Sequence, residues 1–145
     1  MTDGGGEEGV VVRIVQSMGD IPPTHWDACA GDSDPFLSHA FLLALEESGC
    51  VHGRTGWGPV HLLLDGQSDG PPAGCAPLYV KSHSRGEFVF DYGWADAYER
   101  AGGKYYPKLL AAVPFTPATG VRLLVRQWLD QVTVQRQLAA GLIGA

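Results

Sequence analysis

From Phe88 to Thr119 the chain is dense in aromatic and polar side chains. They include Phe90, Asp91, Tyr92, Trp94, Asp96, Tyr98, Tyr105, Tyr106, Lys108, Phe115 and Thr116. Tyrosine and tryptophan present an apolar body with a polar end. Such residues suit a cleft for a ligand of mixed character. The carboxylates and phenols among them can take up a proton, directly or through water. The same composition also describes a core whose tyrosines reach the surface, and the spacing does not separate the two.

Other chemistries leave no pattern. There is no G-x-S-x-G elbow and no H-E-x-x-H. The stretch "AGGKYY" has the Gly-Gly-Lys of a phosphate loop but lacks its other glycine and its Ser/Thr. The five histidines share no ligand spacing and read as surface or satisfied core residues. Cys29, Cys50 and Cys75 lie more than twenty residues apart, without a C-x-x-C pair. Neither a metal site nor a disulfide framework is expected from them. Reduced thiols serving as small core residues fit a cytoplasmic protein. The net charge of −6 and the scattered basic residues disfavour DNA as a partner. Lys81, His83 and Arg85 form the densest basic group.

The elements that must position these residues read as follows. A chain of 145 residues, 45% hydrophobic and 18% charged, fits one ordinary globular domain. No apolar run approaches the roughly 18 residues of a membrane span. Residues 1–9, "MTDGGGEEG", lack the features of a secretion signal and read as a disordered tail. Residues 10–145 form the folded module. Val10–Val15 is β-branched and predicts a first strand. Thr24 is placed as the N-cap of a short helix ending at Gly31. Asp34 and Pro35 open a longer helix, with Leu37, Phe41, Ala44 and Leu45 as its apolar stripe and Gly49 as its C-cap. Glu46 and Glu47 sit at the wrong end for the helix dipole and read as a solvated surface.

Val60–Leu64 and Cys75–Lys81 predict an antiparallel hairpin across "QSDGPP", with Pro77 marking an edge or a bulge. Glu87–Phe90 predicts a further strand. A helix follows, with Trp94, Tyr98 and Ala101 on one face and an Asp96–Arg100 pair, stopped by Gly102–Gly103. In "YYPKLLAAVPFTPATG", Pro107 starts a new element and "LLAAV" is a buried run. Pro114 and Pro117 hold Phe115 and Thr116 extended. Residues 121–127 predict a strand and 131–145 a closing helix. The order implies a mixed α/β layer fold.

Two stretches carry a resemblance. "DPFLSHAFLLALEESGCV" and "APLYVKSHSRGEFVFDYGWADAYERAGGKYYPKLLAAVPFTPATGVRLLV" resemble the FemAB-like N-acyltransferases of the GNAT superfamily, a bacterial group tied to peptidoglycan biosynthesis or recognition. The likeness runs from Asp34 to Val125. It implies GNAT-like modules, each a mixed sheet flanked by helices, and attack of an amine on an activated acyl group. The implied donor is an acyl-CoA or an aminoacyl-tRNA, with no tightly bound cofactor. The implied acceptor is a small-molecule or peptidoglycan-precursor amine.

Under that resemblance Asp91, Asp96 and Tyr98 are the catalytic candidates for moving the amine's proton. Trp94, Tyr105, Tyr106, Phe115 and Thr116 line the substrate cleft, and Lys108 meets an anionic group. Asp91 also reads as a helix N-cap, and Lys108 as a solvated charge. The chain departs from the family pattern in length, since family members run to more than twice its size. Beyond about Gln127 the likeness weakens. No Q-x-x-G-x-G/A turn, where an acyl-CoA pyrophosphate would sit at a helix N-terminus, occurs. The expectation is an N-terminal module with its second module missing: a truncated transferase, a noncatalytic binding module or a nonfunctional fragment. Such a module exposes the surface its partner would cover. Light scattering should then show concentration-dependent self-association, and a well-behaved monomer would count against the reading.

Overall fold

The computed structural model describes residues 11–65 and 70–144. Val10, the expected tail and much of the "QSDGPP" connection lie outside the described residues. The elements run β1 (Val11–Val15), α1 (Pro23–Ala30), α2 (His39–Glu47), β2 (Trp57–Pro59), β3 (His61–Asp65) and β4 (Gly74–Ala76). They continue with β5 (Leu78–Lys81), α3 (Tyr92–Arg100), β6 (Lys108–Ala111), β7 (Leu124–Val125) and α4 (Gln131–Gly144). Two antiparallel sheets result, in the orders β1-β3-β4-β7 and β2-β5-β6. The expected α/β class holds. Among the described residues no helix is long and apolar enough to cross a membrane.

One hairpin supplies the middle of both sheets. Its first arm is β2 and β3, its second β4 and β5. The register Pro59 to Tyr79 in one sheet runs on to Leu62 with Ala76 in the other, which sets Pro77 opposite His61. That pair is a non-hydrogen-bonded one, so the ladder bonds at the crossing belong to Val60 and Leu78. Val60 still donates to the Leu78 carbonyl (2.9 Å), but the Leu78 N–H turns to the His61 Nδ1 (3.3 Å). The ladder breaks there and the arms pass from one sheet into the other. The expected strand 75–81 is therefore two strands.

The four-stranded sheet is covered on both faces. Leu63, Cys75 and Leu124 point to one side and pack with Trp26 of α1, Leu42 of α2, Met18 and Leu37. Leu62, Leu64, Ala76 and Val125 point to the other and meet Val134 and Leu138 of α4. Period-two alternation with apolar residues in both phases makes "HLLL" a continuous buried run. Gly74 permits the close approach of β7, since a Cβ there would stand 2.8 Å from the Leu124 carbonyl oxygen. The three-stranded sheet buries Trp57 and Tyr79 against Val51, with Leu45 and Leu110 alongside.

Several expectations are corrected. Thr24 lies inside α1, because Pro22 and Pro23 preset the helical start. The helix from Asp34 is interrupted. Asp34 caps a 3-10 turn over Pro35–Leu37, and Ser38 then caps α2 through the Phe41 N–H (3.2 Å). The restart moves the buried face to His39 and Leu42 and leaves Ala44 exposed. Glu87–Phe90 is not a strand. Phe88 has φ of 58°, and β6 already fills that side of β5. The 121–127 strand shortens to β7. Trp94 and Tyr98 are exposed, and Ala95 is the buried residue of α3. Arg100 bonds the Asp96 carbonyl oxygen rather than its carboxylate. Phe115 is not extended. Its φ is 57°, and its N–H bonds the Gly86 carbonyl (3.0 Å).

Glu46 is not a solvated acid. Its side chain is 10% exposed and accepts from His61 Nε2 at 2.9 Å. Its other oxygen accepts from the Met18 N–H, also at 2.9 Å. His39 bonds the Met18 carbonyl at 2.7 Å. Because His61 Nδ1 accepts, its hydrogen sits on Nε2, which donates to Glu46. Glu46→Ala orphans two buried donors and should cost about 2–4 kcal/mol in urea unfolding. Glu47→Ala, on an exposed residue, should stay within about 0.5 kcal/mol. Equal effects would refute the bridge.

Candidate functional site

Three strands place the site. In the sheet β2-β5-β6, Trp57 and Lys108 flank Lys81 in register. Cross-strand partners share a face, so two ammonium groups lie side by side, an arrangement that is unfavourable alone. The segment from Ser82 to Asp91 folds back with the compensating acids. Lys108 Nζ donates to Glu87 Oε1 (2.7 Å), Asp91 Oδ2 (2.7 Å) and Ser84 Oγ (2.9 Å). All three of its hydrogens are thereby used. Lys81 is fully buried. Its Nζ donates to the Arg85 carbonyl (2.8 Å) and stands 3.6 Å from Glu87 Oε2. It also lies 3.6 Å from the centre of the Trp57 ring, a cation–π contact. Tyr105 donates its hydroxyl to Asp91 Oδ2, and Tyr106 shares a hydrogen bond with Ser84. Two cavities adjoin the cluster. One, of about 510 Å³, is bordered by Ser84, Tyr106, Arg85 and Asp96. The other, of about 480 Å³, is bordered by Glu87, Leu110, Val113 and Thr116.

The model of the FemAB-like family, described as peptidoglycan biosynthesis/recognition, matches residues 17–144. The chain belongs to that family. Comparison with curated proteins and with solved structures gives no match. The FemAB-like likeness thus reaches well beyond Asp34 and Val125, and includes the first helix and all of α4.

Within this FemAB-like chain, Asp91, Tyr105, Tyr106 and Lys108 come together in the ion cluster. Lys108 is not a solvated charge, since its side chain is only 15% exposed. Asp91 occupies the N-cap position of α3 but makes no side-chain cap bond, because its carboxylate is engaged by Lys108 and Tyr105. Tyr98 packs edge-on against Tyr105, and Tyr105 against Tyr106, with ring centres 6.1 and 4.9 Å apart. Asp96 borders the larger cavity. Trp94 points to solvent, away from the cluster. Phe115 packs on Trp57 (5.4 Å between centres), and Thr116 belongs to the smaller cavity. Trp57, Lys81, Ser84 and Glu87 were not expected in the site. The available signal was Lys81 itself, a cation ending the apolar strand "LYVK". A buried lysine requires a partner, and Glu87 is the acid nearest to it along the chain.

The charges act on one another. Burial pulls Lys81 down to about 8, and the attraction of Glu87 offsets part of that. Burial also presses Lys108 down, but bonds to Asp91 and Glu87 outweigh it and hold the ammonium above its ordinary value. Burial presses the Asp91 carboxyl up, yet hydrogen bonds from Lys108 and Tyr105 hold it well below the usual carboxylate range. The hydrogen bond to Asp91 raises Tyr105.

Lys81 gives a pH signature. Its folded value, about 8, lies below the 10.5 of a free lysine. Between these the unfolded chain binds more protons, so this residue makes stability rise with pH. Relative to Lys81→Met, the wild type should gain stability from pH 8 to pH 10 in denaturant titrations. A constant difference across that window would overturn the assignment.

Proposed function

We propose that the protein is a FemAB-type N-acyltransferase moving an acyl or aminoacyl group from an activated donor to an amine. The amine nitrogen forms a bond to the acyl carbon. The thioester carbon–sulfur bond of an acyl-CoA, or the ester carbon–oxygen bond of an aminoacyl-tRNA, breaks. The amine's proton ends on the departing sulfur or oxygen. A small-molecule or peptidoglycan-precursor amine as acceptor, and a cytoplasmic setting where such donors are found, belong to the same reading.

The observation that carries it is the buried cluster of two lysines and two carboxylates, set beside two cavities in a chain of this family. Fixed donors in a site shielded from water stabilise charge that develops during acyl transfer. Lys108 contributes fixed positive charge rather than a free hydrogen, since its three hydrogens already go to Ser84, Glu87 and Asp91, and Tyr105 is bonded to Asp91. Asp91 contributes by holding them in place. A carboxylate kept well below its usual range is a weak base. Asp96, exposed beside the larger cavity, can exchange a proton with water. Tyr98 supports Tyr105. The rings of Tyr105, Tyr106 and Phe115 and the Thr116 hydroxyl border the substrate, with Trp94 on the outer surface.

The bonding of Glu87 and Asp91 to the same Lys108 favours a second reading, a noncatalytic module that recognises a cell-wall or amino-acid-like ligand. The two readings separate on incubation of the purified protein with amine acceptors and a panel of acyl-CoA and aminoacyl-tRNA donors, with amide formation read by mass spectrometry. Transfer should occur, and Asp91→Asn and Lys108→Met should each slow it about 100-fold. Saturable acceptor binding without any amide product would establish the noncatalytic reading instead.

A further inference from the structure

Two of the three cysteines meet in the core. Cys29 of α1 and Cys75 of β4 belong to one packed cluster, on the face of the four-stranded sheet that α1 and α2 cover. The turn before β4 fixes the first of them. Cys29 Sγ donates to the Pro72 carbonyl (3.4 Å). Arg126 Nη1 donates to the Pro71 carbonyl beside it (2.9 Å), which brings a guanidinium near the sulfur. Among the groups that act on Cys29, the Cys75 thiol acts most strongly.

The two thiols are unlike. The contact with Cys75 holds Cys29 below its ordinary value, burial opposes this, and the Arg126 charge assists. Burial, and after it the neighbouring Cys29, pushes Cys75 well up. Cys29 keeps 7% of its surface open and borders a cavity of about 310 Å³ with Ser33, Leu124 and Gln131. Cys75 is wholly enclosed. Reactive thiols sit beside cations in partly open places, whereas enclosed apolar surroundings keep a thiol inert. A low-lying thiol with a second one against it is the arrangement that peroxide oxidises and a resolving thiol completes. Acyl transfer uses neither sulfur.

We propose that Cys29 and Cys75 are a redox pair, in which a hydroperoxide oxidises Cys29 and Cys75 resolves the product as a disulfide tying α1 to β4. The Cys29 thiolate attacks one peroxide oxygen. A sulfur–oxygen bond forms, the oxygen–oxygen bond breaks, and the departing oxygen takes up a proton as water or an alcohol. The Cys75 sulfur then displaces the hydroxyl of the sulfenic acid, and its own proton leaves with that hydroxyl as water. The sulfurs are oxidised and the peroxide is reduced. A dithiol reductant returns both thiols by exchange. Cys75 needs no access to solvent, because its partner is the Cys29 sulfur.

The Cys50→Ser protein tests the pair, since it lacks the exposed third thiol. It is treated with hydrogen peroxide while folded, alkylated in urea, and digested with trypsin without reduction. Mass spectrometry should find the Cys29 peptide joined to the Cys75 peptide, two hydrogens lighter than their sum, and dithiothreitol should part them. In the same background Cys29→Ser should leave Cys75 an unmodified thiol. Cys75→Ser should leave Cys29 as a sulfenic acid that dimedone captures. Cys29 unoxidised, or carried to the sulfinic acid with Cys75 still free, overturns the proposal. Peroxide modification of Cys75 in Cys29→Ser overturns it as well, because the attacking thiol would then be the other one. If either serine variant does not fold, the linkage in the Cys50→Ser protein decides alone.

Discussion

The parting of the central hairpin at Leu78 is the constraint on which the rest of the structure depends. Where Pro77 stands opposite His61, the hairpin leaves one sheet and enters the other. The N–H of Leu78, left without its ladder partner, is taken by His61. That leaves the other ring nitrogen to donate to Glu46, and Glu46 in turn secures Met18. A single diverted hydrogen bond, from the Leu78 N–H to His61, therefore links both sheets to α2 and to the segment that follows β1. Buried polar groups of this kind must be satisfied as a set, since one unmet member makes the whole arrangement costly.

The same break gives the site its place. β5, once separated from the four-stranded sheet, becomes the centre of a small sheet whose two neighbours bring Trp57 and Lys108 to Lys81. Lysines in cross-strand register repel, so the sheet needs acids close by. The segment after β5 provides them at Glu87 and Asp91. The irregular path of that segment, with no strand over Glu87–Phe90, accompanies the inward turn of Glu87 and Asp91 to two ammonium groups, while Phe88, Val89 and Phe90 stay exposed. Charge compensation, rather than backbone pairing, shapes this part of the chain.

Much of the fold was legible in the residues. β-branched Val11–Val15, the apolar run "HLLL", the glycine stop of α3 and the closing helix all declare themselves locally, as does the break at Pro77. What was not legible is non-local. Ser38 looks like an ordinary helical residue until its hydroxyl caps a second start. Glu46 looks solvated because its partners, Met18 and His61, lie 28 and 15 residues away. The site divides in the same manner. Asp91, Tyr105, Tyr106 and Lys108 were visible as a dense aromatic and charged stretch, whereas Lys81 and Glu87 acquire meaning only when β5 and β6 pair. Trp94 was drawn in by its aromaticity, although the structure gives it to solvent.

The stacking of Lys81 on Trp57 gives the cluster an optical character. Trp57 is an indole almost wholly shielded from water, with an ammonium 3.6 Å above its ring. Trp94 and Trp128 are open to solvent, and a collisional quencher would silence them while sparing Trp57 and the equally buried Trp26. The excited state of an indole is polarised, so the wavelength of its emission responds to a unit charge at that range. Trp57 is consequently a built-in voltmeter for the cluster, and the light it emits carries the protonation of a lysine that no solvent molecule touches.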